Sequence, residues 1–171
     1  PMPAYSVLLV EDDPNTRSRL AQVVEGHPEL HLLAAVGSCA EARQALDKQK
    51  PDVLLTDLGL PDGDGVELIR EIRKRGFPTQ PMVVTVFGDE THVVAALEAG
   101  ALGYLLKDGS PDYIGNSILE MLGGGSPISP PIARYLLRRF RGLEEAQLPD
   151  GSEAPRLSQR EREVLTMIVK G

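Results

Sequence analysis

Val53-Leu54-Leu55-Thr56-Asp57-Leu58-Gly59-Leu60-Pro61-Asp62-Gly63-Asp64-Gly65 is the stretch that decides the fold. Val53, Leu54 and Leu55 form an unbroken apolar run, the pattern of a strand covered on both faces in a parallel sheet. Glycines, aspartates and a proline follow at once, so Asp57 stands at the carboxyl end of that strand. Ligands of open α/β sheets bind at this edge, which makes an acid there a functional candidate. The competing reading is a capping or solvated Asp, and the neighbouring segments decide between the two.

Upstream, Tyr5 to Val10 reads as a first strand running into Glu11-Asp12-Asp13, with Pro14 at the first position of a helix to about Glu25. Gly26-His27-Pro28 breaks that helix, and Leu30 to Val36 forms a second strand. Ser38 with Glu41 has capping-box spacing and opens a helix that ends before Pro51. Downstream of the Asp57 strand, Val66, Leu68, Ile69 and Ile72 give a third helix its apolar stripe, ending near Gly76-Phe77-Pro78. Pro81 to Val86 is a fourth buried strand, Glu90 to Glu98 a fourth helix, and Leu102 to Leu106 a fifth strand ending at Lys107. Ser110-Pro111 opens a fifth helix with Ile114, Ile118 and Met121 at core spacing. Five βα units in succession predict right-handed crossovers and a doubly wound five-stranded parallel sheet with helices on both faces, an α/β fold.

The 171 residues allow one buried domain plus a smaller appendage. One cysteine, Cys39, excludes an internal disulfide and fits a reducing compartment. No apolar run approaches the roughly 20 residues of a membrane span, and no signal-peptide layout opens the chain, so a cytoplasmic location is expected. The net charge of −7 is unevenly distributed: residues 1–125 carry 10 bases against 19 acids, whereas 126–171 carry 8 against 6. The first part repels nucleic acid and attracts cations; the second tolerates phosphates.

Gly123-Gly124-Gly125-Ser126-Pro127 closes the first domain, giving 1–125 as its extent. Pro131 to Phe140 is an amphipathic helix, with Ile132, Leu136 and Phe140 opposite Arg134, Arg138 and Arg141; a packed helix with a solvated basic face is favoured over direct phosphate binding. Gly142 to Arg156 reads as a flexible linker, so 126–156 is linker helix and linker. Ser158-Gln159-Arg160-Glu161 is a second capping box, opening a short helix over 157–171 that cannot fold alone.

The strand ends bring Asp12, Asp13, Asp57, Thr85 and Lys107 to one edge of the sheet. Three carboxylates held together repel, which raises a pKa or recruits a cation, and a hard oxygen-bound ion such as Mg²⁺ relieves it. With an ammonium and a hydroxyl beside them, the set suits phosphoryl transfer to a carboxylate. His27, His31 and His92 are scattered and read as structural, and no P-loop, dinucleotide fingerprint or serine nucleophile elbow is present.

These motifs, Val10-Glu11-Asp12-Asp13, Thr56 to Gly65, Val84-Thr85 and Gly103-Tyr104-Leu105-Leu106-Lys107, together resemble the receiver domain of bacterial two-component response regulators over residues 5 to about 123. Leu157 to Leu165 resembles the start of a LuxR-type helix-turn-helix, as in the NarL/FixJ branch, cut short before its recognition helix. The resemblance implies the flavodoxin-like strand order 2-1-3-4-5, a sensor histidine kinase as donor and Asp57 as phosphoacceptor. It implies Mg²⁺ held by Asp12, Asp13, Asp57 and the Gly59 carbonyl oxygen, Thr85 and Lys107 on the phosphoryl oxygens, and Tyr104 as a switch residue. It further implies homodimerisation on phosphorylation, DNA contact through the full-length C-terminal domain only, no membrane partner, and a regulator rather than an enzyme. Two other readings compete. A haloacid-dehalogenase-like phosphatase needs a second acid two residues after the nucleophile, where Gly59 stands. A docking module that is never phosphorylated has no need to concentrate like charges.

Overall fold

The computed structural model describes residues 4–86 and 90–147. β1 (Tyr5–Val10), β2 (Leu30–Val36), β3 (Val53–Thr56), β6 (Gln80–Thr85) and β7 (Gly103–Leu106) form one parallel sheet in the order β2-β1-β3-β6-β7. Counting these strands alone, the order is the expected 2-1-3-4-5. A separate two-stranded hairpin, β4 (Gly59–Leu60) with β5 (Gly63–Asp64), sits in the loop after β3. Five helices connect the strands or follow the last: α1 (Pro14–Glu25), α2 (Cys39–Lys48), α3 (Gly65–Lys74), α4 (Val93–Ala99) and α5 (Pro111–Leu122).

Alternate residues of each central strand feed two cores. Leu8, Val10, Leu54 and Val83 meet α2, α3 and α4, while Val7, Leu9, Val53, Leu55 and Val84 meet α1 and α5. Burial on both faces is why these strands read as continuous apolar runs. Helix starts are set by side chains: Asp13, Ser38, Asp64 and Ser110 each accept a hydrogen bond from the first turn of α1, α2, α3 and α5.

Three features depart from the sequence reading. The fourth helix opens as a 3₁₀ turn, Glu90–His92, before α4 begins at Val93, and His92 provides no side-chain cap. The hairpin has no apolar alternation to announce it; it is fixed by tertiary contacts, because Asp62 accepts hydrogen bonds from Cys39 N (2.7 Å) and Ala40 N (2.9 Å) at the start of α2. Gly65 N donates to Leu58 O at 2.8 Å, and a Cβ at Gly65 would lie 2.1 Å from Asp57 O, so only glycine lets this loop close on itself.

The third departure is at the end. α6 runs Pro130–Gln147, through Gly142, which had been expected to start a flexible linker. Ile132, Leu136 and Phe140 are buried in the same core as Tyr104, Val93 and Leu97, and Leu143 packs beside them. That apolar contact outweighs the roughly 1 kcal/mol cost of a helical glycine. Before α6, Pro127–Ser129 lies along the outer edge of β7: Tyr104 N donates to Pro127 O (3.0 Å) and Ser129 N to Tyr104 O (3.0 Å). Packing therefore continues past residue 125 without a break. Residues 148–171, including the expected helix-turn-helix start, lie outside the described residues.

Candidate functional site

β1, β3, β6 and β7 end at one edge of the sheet, and each delivers a polar group there. Asp57 follows β3 directly, with its N–H donating to Val10 O at 3.0 Å, which ties it to the end of β1. Its Oδ1 accepts from Leu58 N at 2.7 Å, and its Oδ2 lies 2.6 Å from Lys107 Nζ. Lys107 follows β7, where its own N–H donates to Thr85 O at 2.7 Å. Arg19 on α1 donates to the Lys107 carbonyl, fixing the lysine backbone from the other side.

Lys107 Nζ also lies 2.5 Å from Glu11 Oε1, so one ammonium bridges two carboxylates. Glu11 is fully buried, and that Oε1 has the ion pair but no hydrogen bond of proper geometry. Burial pushes the Glu11 carboxyl above its usual range; Lys107 pulls the other way but does not cancel it. For Lys107, burial works against the ammonium, yet the hydrogen bond to Asp57 and the ion pair with Glu11 outweigh it and the group stays above its ordinary value. Both shifts fit a lysine that serves two acids at once, leaving Glu11 only partly compensated.

Glu11, Asp12 and Asp57 present carboxylate oxygens that all lie within 4.8 Å of one another. The sequence reading gave the third place to Asp13. Asp13 instead caps α1, accepting from Thr16 N (2.8 Å) and Thr16 Oγ1 (2.7 Å), and these bonds hold its carboxyl below the usual range. Pro14 at the first helical position carries the signal: the residue before it is the cap, so the acids free to face Asp57 are the two before that. Arg17 was also missed. Its Nη1 donates to Glu11 O at 2.9 Å, which sets the backbone of the acidic turn.

Thr85 is fully buried, and its Oγ1 has no hydrogen-bond partner among the described residues. Such an orphan hydroxyl at a strand end is costly unless a ligand engages it. Tyr104 is fully buried beside α6, three residues before Lys107. Gly59, exposed, lies two residues past Asp57 at the first position of the hairpin. The donor set is all oxygen and negatively charged, which suits a hard divalent cation such as Mg²⁺.

The family described as response regulator receiver domain matches residues 7–119. The chain belongs to that family. Among its relatives are LiaR of Bacillus subtilis (strain 168), 32% identical over 96% of this chain and 76% of that protein, and the DNA-binding transcriptional activator DevR/DosR of Mycobacterium tuberculosis, 30% identical over 96% and 74%. A crystal structure of a LuxR-family two-component response regulator from Aurantimonas sp. SI85-9A1 superposes with a TM-score of 0.74 at 28% identity, covering 81% of this chain and 99% of that one. The protein is thus a receiver domain homologous to transcriptional response regulators, the class in which two-component phosphorelay controls transcription. Among the described residues, no helix is long and apolar enough to cross a membrane.

Proposed function

We propose that Asp57 of this response regulator accepts a phosphoryl group from a sensor histidine kinase, and that the modified domain controls transcription through a C-terminal LuxR-type domain beginning near residue 157. The observation that carries this reading is the bridge from Lys107 to Asp57 and the buried Glu11, with Asp12 alongside and the unpartnered Thr85 hydroxyl on the next strand. A docking module would gain nothing from an acid buried at that cost.

In the transfer, one Asp57 oxygen attacks phosphorus, the P–N bond to the kinase imidazole breaks, and an acyl phosphate P–O bond forms. Lys107 moves its contact from Asp57 to a phosphoryl oxygen, and Thr85 Oγ1 donates to another. Glu11, Asp12 and Asp57, with the Gly59 carbonyl, would hold Mg²⁺, while Asp13 supports the site from the α1 cap. When bound there, the ion would supply charge neutralisation for the transferring group. Tyr104 then responds to the movement of Thr85, reshaping the α4, β7 and α5 side and favouring a homodimer. The protein works in the cytoplasm and turns over no small-molecule substrate of its own. In domain terms, 1–125 is the receiver, 126–156 the connecting helix and linker, and 157–171 the opening of the DNA-binding domain.

Phosphoramidate with Mg²⁺ tests the site assignment. A hydroxylamine-labile phosphoryl group should form and, after borohydride reduction, map to Asp57; label on a serine, threonine or histidine instead would reject the assignment.

A further inference from the structure

Lys107 Nζ touches both Glu11 and Asp57, although Glu11 follows β1 and Lys107 follows β7, with β3 and β6 between those strands in the sheet. The main chains of this ion pair are both held by one helix. Arg17 donates to the Glu11 carbonyl, and Arg19, 88 residues from Lys107 in sequence, donates to the Lys107 carbonyl. The links close a ring that runs from α1 through Arg17 to Glu11, across the ion pair to Lys107, and back through Arg19 to α1.

Lys107 is fixed on both sides of its Cα. Its N–H donates to Thr85 O at 2.7 Å. Among the described residues no backbone N–H reaches its carbonyl, because the turn that follows is closed one residue earlier, by Gly109 N donating to Leu106 O at 3.3 Å. Arg19 is therefore the partner of that carbonyl. The base of the arginine is held firmly: Asp13 caps α1, and Leu20, next in sequence, is fully buried in the core that contains Ile114 and Ile118 of α5. Arg43, Arg70 and Arg75, on α2 and α3, point their guanidinium groups at carboxylates. Arg19 is exposed and takes no carboxylate among the described residues; it commits a flexible side chain to one neutral oxygen beside the site. Ordering such a side chain costs conformational entropy, which the exchange of water for a guanidinium at an exposed bond does little to offset.

We propose that Arg19 is a positioning residue for phosphoryl transfer: by holding the Lys107 carbonyl, it fixes the Cα from which the lysine side chain reaches Asp57 and, after transfer, a phosphoryl oxygen. Lysine carries a point charge at the end of a long flexible stem, so a small rotation of its backbone is magnified at Nζ. A misplacement of about 1 Å there costs up to about a hundred-fold in a reaction that depends on positioning and charge neutralisation. Arg19 acts through Lys107 and not on the phosphoryl group itself. This deepens the preceding reading, and rests on it for Asp57 as the acceptor.

The test follows phosphoryl uptake by intact mass over time, with phosphoramidate at several concentrations and saturating Mg²⁺, on the whole chain and its variants. Arg19→Ala should lower the maximal rate about ten-fold and leave the half-saturating phosphoramidate concentration unchanged. Arg19→Lys, which keeps a charged donor, should come back to within about two-fold of the native rate. In a Lys107→Ala background Arg19→Ala should cost nothing further, because the group it positions is gone. Arg70→Ala, on α3, removes an equal charge and should keep the native rate. A native rate in Arg19→Ala would overturn the proposal, as would the same ten-fold loss in the Lys107→Ala background, which would show that Arg19 does not act through the lysine. A loss confined to the half-saturating concentration would also overturn it, giving Arg19 to capture of the anionic donor, and so would an equal loss in Arg70→Ala. A native chain that takes up no phosphoryl group would overturn the preceding reading and this one with it, whereas the other outcomes leave Asp57 as acceptor and reject Arg19 alone.

Discussion

Ser129 Oγ accepts the Leu106 backbone N–H at 3.0 Å, in a buried setting, and thereby pins the outer edge of the strand that carries Tyr104 and leads to Lys107. Tyr113 O–H lies 3.3 Å from the same oxygen, so α5, β7 and the start of α6 converge on one hydroxyl.

Replacing Ser129 with alanine leaves the Leu106 N–H buried without its acceptor. The expected loss is about 1–3 kcal/mol of unfolding free energy, measured by urea denaturation. Ser129→Thr, which keeps the oxygen, should recover most of it.

Asp12 and Asp13 should separate cleanly on substitution. Asp13→Ala removes the α1 cap and lowers the urea midpoint, with a smaller effect on Mg²⁺ affinity. Asp12→Ala leaves the midpoint near native and weakens Mg²⁺ by an order of magnitude or more, comparable to loss of a ligand or its orienting partner. The Asp13 carboxyl is held below its ordinary value in the folded state. Its stabilising effect is therefore present above the unfolded pKa and is lost as pH falls through the folded one. In the Asp13→Ala variant the acid-side decline in stability should be shallower.

Glu11 gives the opposite slope. Its folded carboxyl titrates above its unfolded value, so the folded state holds the proton more tightly and stability declines as pH rises through that interval. Glu11→Gln should remove this component. In the metal-free protein the Gln variant should gain on the native chain from pH 4 to neutrality; a constant offset across the range would show that Glu11 does not titrate in this way.

Cys39 is fully buried under the hairpin, where burial, then the nearby Asp62, pushes its thiol up to about 11. At pH 8 the folded chain should resist iodoacetamide and react only after denaturation. Between the ordinary thiol value and about pH 11 the unfolded chain ionises first, so Cys39 makes stability fall through that window. Cys39→Ala should flatten the fall, read from urea midpoints at pH 8 and pH 10.

The strands and most helices were legible because burial on both faces writes itself as apolar runs, and Pro14, Ser38 and Ser110 announce the helix starts. Asp57, Thr85 and Lys107 were legible as strand-end residues, and the structure brings the first and last into contact. Glu11 was not singled out, since a buried acid inside an acidic run looks like its neighbours; only the cap role of Asp13 before Pro14 distinguishes them. The hairpin depends on Asp62 reaching α2 across 23 residues, and no local pattern encodes that. Gly142 looked like an end to α6 because propensity is local, whereas the packing of Phe140 and Leu143 is not.

The central claim, a phosphoacceptor at Asp57, is tested most directly by intact mass after incubation with acetyl phosphate and Mg²⁺, beside a magnesium-free sample and an Asp57→Ala variant. The account predicts gain of a single phosphoryl group, only with metal and only when Asp57 is present. A folded, Mg²⁺-binding chain that gains none, or an Asp57→Ala variant that gains one, would contradict it.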